Sequence, residues 1–166
     1  MAYRNKTYVI FDGDEDMWAY AYMLGWNKNE HMEFNFYDAH DLRPLAANAD
    51  EAVVKRALRH RLENTKQAIV IVGEKTKNLF RFVRWEIEMC LSMGIPIVAV
   101  NLNGKRQMDP EKCPPLLKDT CTVHVPFKAK AIQKGLDDFC DGFASYKQKK
   151  LTNLFYSDAV YAKLGL

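Results

Sequence analysis

Between Ala68 and Val100 the chain carries two apolar runs, AIVIVG and IPIVAV, separated by a charged loop, EKTKN, and one helix-length segment, LFRFVRWEIEMCLSMG. Runs this short and this rich in β-branched residues read as strands buried on both faces. Parallel strands need a crossover between them, and a helix supplies it, so the stretch predicts a β-α-β unit at the centre of the fold.

Within the predicted helix, Phe80, Val83, Ile87, Cys90 and Leu91 recur at helical spacing and are expected to face the sheet. Glu86 interrupts this pattern. Its neighbours three and four positions away are Phe82, Val83, Met89 and Cys90, all apolar, whereas Arg81, Arg84 and Glu88 have polar company. One reading is a partly desolvated carboxylate with a raised pKa, a candidate acid, base or charge stabiliser. The other is a residue at the edge of the apolar stripe whose carboxylate reaches water.

The flanking segments extend the alternation. Thr7 to Phe11 reads as a first strand, Asp16 to about Trp26 as a helix, and Met32 to Tyr37 as a half-exposed strand. Asp50 to Asn64 is amphipathic, with Asp50 as N-cap, Val53, Ala57, Leu58 and Leu62 inward, and Lys55, Arg56, Arg59 and Arg61 outward. A strand near Thr122 to Val125 and a helix over Lys128 to Lys150 complete the series. Strands alternating with helices give one α/β domain, and right-handed crossovers favour a doubly wound, five-stranded parallel sheet of flavodoxin-like order, 2-1-3-4-5. Residues 1–150 form this domain, and the apolar tail 151–166 is expected to dock on it or on a partner copy.

Composition narrows the function. A net charge of +3 over 166 residues, without a basic stripe interleaved by aromatics, argues against nucleic acid. No run approaches the length of about 18 apolar residues that marks a membrane span, and no signal-peptide core precedes the first strand, so no membrane is expected and the location is expected to be cytoplasmic. Cys90, Cys113, Cys121 and Cys140 lack CxxC spacing, which argues against a disulfide framework or a zinc site; Cys113, Cys121 and His124 make a poor ligand set. Neither GxGxxG nor a P-loop motif occurs.

Candidate ligand-facing residues lie where parallel strands end, the edge at which open α/β sheets bind small molecules. The first strand runs into DGDED. Its spacing fails the calcium-loop pattern, so Asp14, Glu15 and Asp16 read as helix caps or solvated charges, while Asp12, directly after the strand, stays open. Asp38 and His40 begin a long aperiodic connection, and such loops tend to be functional. Trp18, Tyr20, Tyr22 and Trp26 on the first helix exceed what one core face holds, which suggests a contact with another copy.

Taken together, YVIFDGDED, FYDAH, ALRHRLENTKQAIVIVGEKTK and especially FVRWEIEMCLSMGIPIVAVNLN resemble the TIR-like family, in the branch found in bacterial Thoeris anti-phage defence. The resemblance covers roughly Lys6 to Asn103. It implies that Glu86 is catalytic, that NAD⁺ is a substrate rather than a bound cofactor, and that the nicotinamide glycosidic bond is cleaved to make a cyclic or conjugated ADP-ribose messenger. That messenger would activate a separate effector, a phage-derived trigger would switch the enzyme on, and copies of the chain would assemble. Phe11, Asp12, Asp38, His40, Phe82 and Trp85 are the matching substrate-binding candidates, and no metal is implied. Three positions depart from the common pattern: Ile10 replaces a small polar residue, Phe82 a Trp and His40 a small residue such as Ser. Two alternatives stand beside this reading: a non-catalytic TIR-like interaction module, and an enzyme similar to nucleoside deoxyribosyltransferases.

Overall fold

A computed structural model describes residues 6–28, 36–37, 50–79 and 81–166. In chain order these form β1 (Thr7–Ile10), α1 (Met17–Lys28), β2 (Phe36–Tyr37), α2 (Glu51–Leu62), β3 (Gln67–Val72), α3 (Phe82–Ser92), β4 (Ile97–Asn101), β5 (Thr122–Pro126), α4 (Ala129–Lys134), α5 (Cys140–Gln148) and α6 (Asp158–Leu164). Of the predicted positions, Met32, Phe34, Asp38, His40 and Phe80 lie outside the described residues.

The apolar runs are parallel strands at the centre of the sheet, in register from Ala68↔Ile97 to Val72↔Asn101. β1 pairs with β3 and β5 with β4, which gives a parallel four-strand body. The two residues of β2 pair with Thr7 and Tyr8 on the outer side of β1, so the described strands run β2-β1-β3-β4-β5. Every residue of β3 is buried, because both faces of the sheet are covered.

Strand alternation divides the core into two layers. Val9, Phe11, Ile69, Ile71, Val98, Val100, Val123 and Val125 meet α1, α4 and Tyr161 of α6. Tyr8, Ile10, Ala68, Val70, Val72, Ile97 and Ala99 meet Leu62 of α2 and Val83, Ile87 and Cys90 of α3. A third cluster, Val54, Leu58 and Trp85, joins α2 to α3. The inward residues of α2 are therefore Val54, Leu58 and Leu62. Val53, expected inward, is 44% exposed, since 54, 58 and 62 align along one stripe and 53 falls on its solvent flank. The Asp50 cap is present, its carboxylate accepting the N–H of Ala52.

The last long helix is not a single regular one. It runs as α4, widens to π geometry over Gly135–Phe139, and resumes as α5. The widening begins where a Cβ on Gly135 would lie 3.0 Å from Val98 Cγ1, so a larger residue here would make the helix or the Val98 side chain give way by a few tenths of an ångström. The tail packs on its own domain. Leu154 bridges Val123, and Tyr161 is fully buried beneath the Arg106 guanidinium, 4.3 Å from the ring centroid. Truncating a large buried ring leaves a cavity, so Tyr161→Ala is expected to lower stability by about 3–5 kcal/mol in urea unfolding; a loss below about 1 kcal/mol would mean that the tail is dispensable.

His124 on β5 is fully buried, and neither of its ring nitrogens has a hydrogen-bond partner among the described residues. Burial pushes its pKa down to about 4, from 6.5 when free. Unfolding therefore takes up a proton below pH 6.5. This residue's contribution is complete above pH 6.5 and is lost as the pH falls toward 4, a change of about 3 kcal/mol. Urea unfolding of the wild type and His124→Leu between pH 7 and 4.5 checks this. The acid sensitivity assigned to position 124 should vanish in the variant.

Candidate active site

Glu86 lies in the second turn of α3, on the side that faces β1, and is only 6% exposed. The alternation of β1 brings Tyr8 to the same layer, and its hydroxyl donates a 2.8 Å hydrogen bond to Glu86 Oε1 across 78 residues of sequence. Of the two readings of Glu86 open from sequence, the structure selects the desolvated carboxylate. The stripe on which it sits turns toward the sheet rather than along the edge of the helix.

Burial pushes the Glu86 pKa up to about 7, and the Tyr8 hydrogen bond and the positive charge of Arg61 both pull against that rise. The Tyr8 hydroxyl is held far above its usual range, first by burial and then by the Glu86 charge, so it remains a donor. Arg61, expected to point outward from α2, is instead half-buried, with its field acting on both Tyr8 and Glu86. Cys90, one turn along α3, is pushed up to about 12 by burial and by Glu86, which makes it an inert thiol.

The other candidates occupy distinct places. Trp85 is buried against Val54 and Leu58 of α2, with Phe82 edge-on at 5.4 Å, so both rings form the α2–α3 contact beside the Glu86 turn. Phe11 lies in the opposite layer and stacks on Tyr20 at 4.6 Å; the period of the strand separates it from Tyr8 and hence from Glu86. Asp12 is buried at the end of β1 and turns back on its own loop, accepting the N–H groups of Asp14 at 3.0 Å and Glu15 at 3.4 Å. Asp38 and His40 fall outside the described residues.

Asp16 corrects the reading of the acidic turn. Asp14 and Glu15 are exposed, but Asp16 is buried and lies 3.5 Å from the Thr76 hydroxyl, which also accepts the N–H of Gly73. Burial and the charge of Asp12 push the Asp16 pKa up to about 6, against the Thr76 hydrogen bond. A Cβ on Gly73 would lie 2.2 Å from Asp16 Oδ2, so the two loops that follow β1 and β3 close on each other through these three residues. Around them is a crevice at the carboxyl edge of the sheet, lined by Glu15, Trp18, Gly73, Glu74, Asn103 and Lys112. Among the described residues no group of three His, Cys, Asp or Glu side chains is placed to hold a metal ion, and no helix is long and apolar enough to cross a membrane.

The sequence reading missed Tyr8 and misassigned Arg61. A tyrosine inside a buried strand was the available signal, because a buried phenol needs an acceptor. The raised pKa of Glu86 has a measurable consequence. Stability from the neutral carboxyl is complete below pH 4.5 and is lost as the pH rises through about 7. Glu86→Gln should therefore gain on the wild type by on the order of 3 kcal/mol between pH 5 and 8 in urea unfolding. Parallel curves for the two proteins would contradict the assignment.

No curated protein matches the chain. Residues 8–107, a span from β1 to just past β4 that includes Tyr8 and Glu86, match the family described as Thoeris protein ThsB, TIR-like domain. The chain belongs to the TIR-like ThsB family of Thoeris defence.

Proposed function

We propose that the chain is an NAD⁺-cleaving enzyme of Thoeris defence with Glu86 as its catalytic carboxylate. The observation that carries this reading is a carboxylate buried on α3 and held by a hydrogen bond from the central sheet, inside the span matched to the family. In this reaction the bond between ribose C1′ and the nicotinamide nitrogen breaks. The electron pair goes to the ring, which leaves as neutral nicotinamide without needing a proton. Positive charge develops on the ribose as an oxocarbenium ion, and a fixed carboxylate in a dry site stabilises it. A nucleophile from the same or another molecule then takes C1′ and gives a cyclic or conjugated ADP-ribose messenger for a separate effector.

Glu86 must be ionised for this role, and Arg61 and the ribose hydroxyls supply the stabilisation that burial removes. Phe82 and Trp85 on the same helix and Asp12 after β1 are the proposed remaining walls, with Asp38 and His40 proposed as further substrate-binding residues. Phe11 would act from the other layer by supporting β1. The full doubly wound, flavodoxin-like arrangement with a complete second strand belongs to the same reading, as does action on cytoplasmic NAD⁺. Trp18 and Tyr22, 49% and 61% exposed, form the proposed contact between copies, which would complete the site.

The burial of Glu86 also favours a second reading, a resting or non-catalytic module, because a ribose reaches the carboxylate only after the wall above it opens. Chromatography and mass spectrometry of NAD⁺ incubated with the chain, with and without extract of phage-infected cells, separate the two. Nicotinamide release with a new ADP-ribosyl product, faster with the trigger and reduced by about 100-fold or more in Glu86→Gln, is the expected result. Binding of NAD⁺ without turnover under every condition supports the interaction module. Exchange of bases on deoxynucleosides with no action on NAD⁺ supports the transferase reading.

A further inference from the structure

Tyr8 is fully buried in the middle of the sheet, where phenylalanine would fill the same space without a hydroxyl to satisfy. A buried polar pair of this kind is seldom worth more than an apolar pair of equal volume, so packing alone does not account for it. What the hydroxyl adds is control of the carboxylate. The terminal torsion of a glutamate has a broad, two-fold profile, and only a directional contact fixes it. β1 pairs on both sides, so it is a rigid support for that contact.

We propose that Tyr8 is a positioning residue for the Glu86 reaction, its hydroxyl holding the carboxylate in one orientation and in the charged, hydrogen-bond-accepting form. The proposal rests on the NAD⁺-cleaving reading and deepens it. Among the described residues, β1 contributes Tyr8 to the surroundings of Glu86, α2 contributes Arg61, and α3 itself contributes Cys90, while β3 presents the apolar Ala68, Val70 and Val72 in that layer. Tyr8 and Arg61 both favour the ionised carboxylate, the hydrogen bond more strongly than the Arg61 charge. Cys90, held neutral, does not compete.

The test uses the full chain with Tyr8→Phe, which keeps the ring, and with a fluorotyrosine installed at Tyr8, which keeps the ring and makes the donor stronger. The Glu86 carboxyl carbon is followed by ¹³C NMR as the pH is varied, with Glu86→Gln identifying its resonance. Tyr8→Phe should raise the titration midpoint by about one unit, and the fluorinated ring should lower it. Under activating conditions, Tyr8→Phe should lose about fivefold in kcat near the wild-type midpoint with little change in KM, and its acidic pH limb should move by the same amount as the NMR midpoint. Unmoved midpoints in two folded variants overturn the proposal, as does a moved midpoint with an unmoved rate profile. Failure of the parent reading looks different: the midpoints move as expected, and neither wild type nor variant releases nicotinamide under any trigger.

Discussion

The structure depends on one constraint: a parallel sheet covered on both faces, which forces each strand to divide its side chains between two separate cores. β1 shows the consequence most clearly. Val9 and Phe11 go to the layer of α1, and Tyr8 and Ile10 go to the layer of α2 and α3. A slip of one residue would exchange the two sets. Val9 would then face Glu86, and the carboxylate would be buried without its donor. Register, rather than any local preference of tyrosine or glutamate, is what creates the pair.

That pair places stability and chemistry in opposition. Burial favours the neutral carboxyl of Glu86, which helps the fold, while the proposed reaction needs the charge. Tyr8 and Arg61, arriving from two other elements, shift the balance back toward ionisation. A carboxylate titrating near neutrality is sensitive to small changes around it. Movement of α2, which carries Arg61, or entry of ribose hydroxyls would alter its charge state.

The carboxyl edge of the sheet is fixed by a different set of contacts. Thr76 and Gly73, after β3, close on Asp16, after β1, and Asn101 at the end of β4 donates to the carbonyls of Lys105 and Gln107. On α1 the exposed rings of Trp18 and Tyr22 lie outside the core, edge-on to each other at 6.1 Å, with Trp18 also 5.6 Å from the Phe127 ring. The tail lies along the β5 side of the sheet, where Leu154 pairs with Val123 and Tyr161 is buried in the layer of α1 and α4 beneath Arg106.

The parallel α/β class was legible because AIVIVG and IPIVAV are too short and too apolar to be anything but central strands, and the segment between them has one helical period. Glu86 was legible as an anomaly in that period and as part of WEI in the family pattern. Periodicity gives the face of a helix, however, and not what stands opposite it. It could not show that Tyr8 would be the donor, that Arg61 would turn inward, that Phe11 would fall in the other layer, or that Asp16 would be buried by a loop sixty residues away. The local hydrophobic pattern by itself determined the strands, the helices and the odd carboxylate, because those follow from neighbours within a few residues. Strand register and helix packing decided its partner and its charge, because hydrogen bonds and dielectric environment are set by groups far apart in the chain.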